Sequence, residues 1–213
     1  PAPGQISITA MSARRPKNSS VSFGWRQASR ARLASEGLAG FLVPRADAHQ
    51  GEYVAARDER LAWLTGFTGS AGFAVVLPDV AGVFIDGRYR VQVRAQVDLA
   101  MFTPVNWPEV QAGPWIAEHL KAGVVGFDPW LHTAEEIGKL EAALSGTDIS
   151  LRPVANMVDA IWPDQPAPPM GRAFLHPVEL AGESGEAKRD RLARALRESG
   201  QKAAVITLPD SIC

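Results

Sequence analysis

The chain has 213 residues, 46% apolar and 21% charged, which suits one large domain or two small ones with a substantial core. Its 22 basic and 23 acidic side chains nearly cancel, and no stretch interleaves Lys and Arg with aromatics, so a nucleic-acid partner is excluded. A single cysteine, Cys213, excludes an internal disulfide and a cysteine-built zinc site and fits a reducing, cytoplasmic setting. No run reaches the roughly 18 apolar residues of a membrane-spanning helix, so no membrane partner is expected.

In chain order, residues 1–23 are rich in Pro, Ser and Arg without periodicity and read as a flexible tail, with Met11 as a candidate native start. Trp25 to Glu36 suits a helix stopped by Gly37, and Leu38 to Val43 a buried strand. Asp58 is expected to cap a short helix carrying Leu61, Trp63 and Leu64 and ending at Gly66. "GFAVVL" (72–77), "PDVAG" (78–82) and "VFID" (83–86) read as a β-hairpin. Asp86 then caps a predicted helix over Arg88 to Val97.

Further on, "PWIAEHLKAG" predicts a helix with proline in its first turn, and "GVVGFD" (123–128) a strand. Thr133 and Glu136 have capping-box spacing ahead of Ile137, Leu140 and Leu144. "DISLRP" reads as a strand and "VANMVDAIW" (154–162) as a helix. These elements predict a mixed β-sheet flanked by helices, without the βαβα rhythm of a doubly wound fold. Prolines at four of the seven positions 163–169 mark a linker, taken as 163–171. Beyond it Ser184 opens a helix closed by Gly200, and "AAVITL" (203–208) is expected to be a buried strand. One helix and one strand are too little for an independent core.

The stretch "GFTGSAGF" (66–73) raises the question of a nucleophile or a phosphate loop. Thr68 stands where the first glycine of Gly-x-Ser-x-Gly belongs, and the run leads from helix to strand, the wrong order for a nucleophile elbow. No lysine follows the last glycine, which removes the phosphate loop. The glycines are therefore read as turning and packing the chain. Asp47, His49 and Glu52 share one loop but make no three-ligand metal site, and His119, His132 and His176 join no cluster. The six tryptophans are assigned to cores and interfaces.

The succession "VPRADAHQGEY", "RLAWLTGFTGSAG", "FIDGRY", "VGFDP", "MVDAIWPDQP" and "AVITLPDSIC" closely resembles the N-terminal half of cytosolic-type Xaa-Pro aminopeptidase, or aminopeptidase P. The resemblance implies a creatinase-like N-terminal domain at 24–162, the truncated start of a second similar domain at 172–213, and a catalytic pita-bread domain absent from this sequence. It implies a parent enzyme that releases the first residue of peptides with proline in second position, using two divalent metal ions, manganese expected. By the same resemblance no catalytic residue, metal ligand or cofactor belongs to this chain. It would serve as scaffold, as the subunit interface of a homodimer, and as part of the rim of the substrate cleft. Arg88, Tyr89, His49 and Asp47 are the rim candidates, because polar residues on loops at strand ends can reach such a rim. The plainer alternative is that Arg88 pairs with a nearby carboxylate and Tyr89 packs. The rival for the whole chain is a non-enzymatic binding or assembly module with the same N-terminal architecture.

Overall fold

The structure, a computed structural model, describes residues 31–212. The predicted tail at 1–23 and the first half of the helix predicted from Trp25 lie outside the described residues. Residues 31–35 are helical, and Gly37 takes the left-handed backbone (φ +63°) that ends the turn.

Six strands follow: β1 (Gly40–Pro44), β2 (Gly72–Val76), β3 (Ala81–Ile85), β4 (Thr103–Asn106), β5 (Ala122–Phe127) and β6 (Asp148–Pro153). Four helices connect them: α1 (Arg60–Thr65), α2 (Arg90–Gln96), α3 (Ala112–His119) and α4 (Ala134–Ala143). The strands form one sheet in the order β4-β3-β2-β1-β5-β6. Pairing is parallel for β3–β4, β1–β5 and β5–β6 and antiparallel where β2 meets β1 and β3, so β2 alone runs against the rest. The fold is the mixed α/β sheet expected from the sequence.

Period-two alternation supplies a core on both faces. Phe41, Val43, Ala74, Val83 and Ile85 face one layer with Leu61, Leu64 and Val93 of α1 and α2. Leu42, Val75, Phe84, Val105 and Val125 face the other, against Trp115 and Ile116 of α3 and Leu144 just past α4. The β3-α2-β4 and β5-α4-β6 crossovers step toward opposite edges of the sheet, so a common right-handed sense places α2 and α4 on opposite faces.

Local signals hold where they are self-contained. The Thr133–Glu136 capping box is complete, with reciprocal bonds of 3.2 and 2.9 Å. The hairpin forms in the register Gly72↔Ile85 to Val76↔Ala81. Gly66 ends α1 at φ +81°, where a Cβ would stand 3.0 Å from the Gln96 carbonyl oxygen.

Four expectations are corrected. Asp58 does not cap α1: its carboxylate accepts from the Arg60 side chain instead, at 2.9 Å, and Glu59 occupies the cap position. The helix expected over Arg88 to Val97 begins as a 3-10 turn, Gly87–Tyr89, before α2. Residues 154–162 hold only the 3-10 turn Asp159–Ile161, because Asn156 and the Arg60 network take up the local polar groups. Residues 203–208 form no strand and are exposed, since no sheet edge reaches them. The rest of the C-terminal segment consists of α5 (Val178–Ala181), α6 (Gly185–Glu198), capped by Ser184, and α7 (Pro209–Ile212).

Candidate functional site

The parallel strands all end at one edge of the sheet, and β2 begins there. The register places Pro44 against Phe73, Gly72 against Ile85, and Ile85 against Asn106. Loops at the carboxyl ends of strands are where open α/β sheets bind ligands. This edge receives the four rim candidates, Asp47 and His49 from the loop after β1, Arg88 and Tyr89 from the turn after β3.

The turn after β3 is built by Asp86. Its carboxylate accepts from the Arg88 backbone N–H at 2.9 Å and from the Arg88 guanidinium Nη2 at 2.6 Å. Hydrogen bonds from Arg88 hold the Asp86 carboxyl below the usual carboxylate range, and Asp86 in turn raises Arg88. The guanidinium lies 5.1 Å from the Tyr89 ring centre, with its side chain 65% exposed. Tyr89 packs edge-on against buried Phe67 at 5.5 Å, and its hydroxyl shares a 2.6 Å hydrogen bond with Ser70 Oγ. That bond with Ser70 lowers the phenol's pKa. The contacts of the plainer alternative are thus present: Arg88 has a local carboxylate and Tyr89 packs. They also fix both side chains, which leaves the outer part of the guanidinium facing solvent in a set orientation.

"GFTGSAGF" supports this turn from beneath. A Cβ on Gly69 would lie 2.2 Å from Phe67 Cζ and 2.9 Å from Tyr89 Cδ1, so only glycine lets the two rings meet here. Thr68 and Gln96 exchange two hydrogen bonds, of 3.0 and 2.8 Å, that moor the loop to α2. Ser70 faces a tyrosine rather than a histidine, so nothing here activates it as a nucleophile.

In the loop after β1, Asp47 Oδ1 accepts from the backbone N–H groups of His49 and Gly51, at 2.9 and 3.3 Å. Asp47 is thereby occupied in closing its own turn, and His49 stands exposed upon it. Arg45 donates to the Glu52 carbonyl at 3.1 Å, which ties the far end of this loop back to its start.

Among the described residues no group of three or more His, Cys, Asp or Glu is placed to hold a metal ion. Asp47 and Asp86 are committed to backbone and arginine partners, and the residues at this edge do not fit a dinuclear metal centre. An apolar depression lined by Leu33, Phe41, Val43, Leu64 and Met157 lies within the α1 layer and offers no chemistry. The remaining histidines are scattered. His119 stacks on Trp115 at 4.3 Å, His132 is largely buried beyond β5, and His176 is exposed in the C-terminal segment.

Several features of this edge went unread in the sequence. Ser70, 19 residues from Tyr89, has no local signal that could reveal its partner. Trp107 and Trp130, assigned to a core or interface, stand 38% and 74% exposed after β4 and β5, whereas Trp115 and Trp162 are buried. Their positions one and three residues after strand ends are the signal that could have found them.

Residues 26–161 match the profile described as the creatinase/prolidase N-terminal domain, and residues 164–213 a second profile of the same description. The chain belongs to the creatinase/prolidase N-terminal domain family. It is 39% identical over 183 residues to a probable Xaa-Pro aminopeptidase P of Coccidioides posadasii (strain C735), covering 81% of this chain and 27% of that protein. A probable Xaa-Pro aminopeptidase P of Arthroderma otae is 39% identical over 178 residues, covering 78% and 28%. The chain thus spans little more than a quarter of the length of these relatives.

Among solved structures, X-prolyl aminopeptidase of Caenorhabditis elegans, described as a cytosolic enzyme with a di-nuclear active site, superposes with a TM-score of 0.76 at 28% identity. The match covers 88% of this chain and 34% of that one. The N-terminal domain of the cytoplasmic peptidase PepQ from Mycobacterium tuberculosis matches 65% of this chain and 98% of its own, with a TM-score of 0.51 at 25% identity. Among the described residues no helix is long and apolar enough to cross a membrane.

Proposed function

We propose that this chain is the non-catalytic N-terminal part of a metal-dependent, cytoplasmic Xaa-Pro aminopeptidase that releases the first residue from peptides with proline second. The observation that carries this reading is the extent of the likeness to the C. elegans enzyme, 88% of this chain at a TM-score of 0.76. That enzyme's di-nuclear site, together with a donor set here that fits no such centre, favours two divalent ions, manganese expected, held by a part of the parent outside these residues. When bound, such a pair supplies a polarised carbonyl and an activated water.

The division proposed is an N-terminal domain at 24–162, a linker at 163–171 and the opening of a second unit from 172. The first would serve as scaffold and as homodimer interface. Its carboxyl edge would supply the cleft rim, with Arg88 oriented by Asp86 and Tyr89, and His49 raised on the turn that Asp47 closes. Support for the rim comes from their common place at one end of a rigid sheet.

Incubating purified 1–213 with manganese and an Arg-Pro-Pro peptide tests the partition of activity. The expected result is no release of the first residue, with activity appearing only when the chain is joined to its downstream catalytic part. Turnover by 1–213 alone would refute the non-catalytic reading. A natural protein with no catalytic part would favour the assembly-module reading.

A further inference from the structure

His132 sits in the loop joining β5 to α4, with its side chain only 10% exposed. Its ring meets Phe127 edge-on at 5.9 Å, and its Nε2 is buried with no hydrogen-bond partner. The charged groups facing it are Asp128, at the end of β5, and Glu136, in the first turn of α4. Both are already engaged. Asp128 accepts from the Trp130 backbone N–H at 3.0 Å and from Asn156 Nδ2 at 2.9 Å. Glu136 Oε2 accepts from the Thr133 backbone N–H at 2.9 Å while standing 4.0 Å from His132 Nδ1, too far for a hydrogen bond. The same short loop displays Trp130, 74% exposed at the rim edge, between Asp128 and buried Leu131.

We propose that His132 is an acid-sensitive latch: as a neutral imidazole it packs the 128–133 loop shut, and on taking a proton it leaves its pocket and releases the loop, moving Trp130. A neutral ring can leave one nitrogen bare in an apolar pocket. A protonated ring carries two N–H donors and a charge, and the donor at Nε2 would be buried without an acceptor. Outside the pocket the imidazolium finds Glu136, whose carboxylate is 59% exposed, and taking it draws Glu136 away from the capping box of α4. Proton uptake therefore weakens the loop at both its burial and its cap.

Burial depresses the pKa of the closed state below the ordinary 6.5, against the opposing pull of Glu136 and Asp128. The open state, with a solvated ring, binds the proton first. Closure is complete above about pH 7 and is lost as the pH falls through the ordinary histidine value toward the depressed one.

The test is amide hydrogen exchange on the full chain at about pH 7.5 and about pH 5, corrected for intrinsic exchange rates. Residues 128–133 should lose protection at least fivefold at the lower pH, while α3 stays unchanged, and His132→Leu should remove the difference. Should that variant fail to fold, the imidazole titration followed by NMR in the wild-type chain decides. His132 should titrate below the ordinary histidine value of about 6.5, with its transition matching that of the loop amides. Titration at or above that value, or loop protection independent of pH, overturns the proposal.

Discussion

Arg60 and Asp159 stand 99 residues apart in sequence and meet in a forked pair, Nε to Oδ1 at 2.7 Å and Nη2 to Oδ2 at 2.9 Å. Arg60 is buried, and its third nitrogen donates to Asp58 at 2.9 Å. Burial works against its charge, but Asp159 and Asp58 together outweigh that and raise its pKa. Gln165 adds a 2.8 Å bond to Asp159, and Trp63 stacks on Trp162 at 5.1 Å. The start of α1 is thereby fastened to the chain just before and within the proline-rich stretch.

Removing one partner strands the other. Asp159→Ala should destabilise the domain by about 2–3 kcal/mol, below the roughly 3–5 kcal/mol of a fully buried pair because the Asp159 side chain is 32% exposed. Urea denaturation of 1–213 measures this. A loss under about 0.5 kcal/mol would show that the pair is dispensable.

How legible this fold was depended on the distance over which each feature is decided. The Thr133 capping box, the Gly66 stop and the 72–85 hairpin are written within a few residues, and the sequence reveals them. Asp86 and Arg88 are likewise two residues apart, so a local pairing was foreseeable. Asp58 was misread as a cap because its alternative, the buried Arg60 network, is completed by Asp159 from the far end of the domain. Residues 203–208 have strand composition, but a strand also needs a neighbour, which composition cannot supply. At the candidate site the glycines were readable as packing devices. Which rings they bring together, Phe67 and Tyr89, required the sheet register.

Glu59 gives a pH-dependent prediction. Partial burial raises its carboxyl above 4.5, with Arg45 opposing less strongly. The folded state then binds this proton more readily than the unfolded state, so stability is lost as the pH rises from 4.5 through the folded value. Glu59→Gln should raise Tm at pH 7, and the gain should disappear below about pH 4, where both states of the wild type are protonated. A variant less stable than wild type at pH 7 would contradict this sign.

The rim proposal turns on Arg88. In the complete parent enzyme Arg88→Ala and His49→Ala, made separately, should each lower kcat/KM for an Xaa-Pro peptide by at least tenfold, about 1.4 kcal/mol of transition-state stabilisation. Tyr89→Phe keeps the Phe67 contact and removes only the bond to Ser70, so it should cost less, about 1 kcal/mol. Calorimetry and light scattering must show intact folding and an unchanged state of assembly. Unaltered kinetics in both alanine variants would confine these residues to shaping their own loops.

The C-terminal segment should behave as the weaker part of 1–213. Phe174, Leu175, Val205 and Leu208 are each more than half exposed, Leu175 at 97% and Val205 at 90%, and no described strand gives 203–208 a neighbour. Six uncharged residues rich in β-branched side chains, left uncovered, are prone to pair with another chain. Limited proteolysis should therefore cut first between about 163 and 185 and leave a stable fragment ending near Trp162. Concentration-dependent association of 1–213, followed by light scattering, should fall when Val205→Asp and Ile206→Lys are introduced together, with Tm unchanged because neither side chain joins the core. Strong hydrogen-exchange protection of 184–212 relative to the sheet strands would reverse this assignment, since α6 is an exposed helix that adds no buried residue to the core and 203–208 has no described strand neighbour.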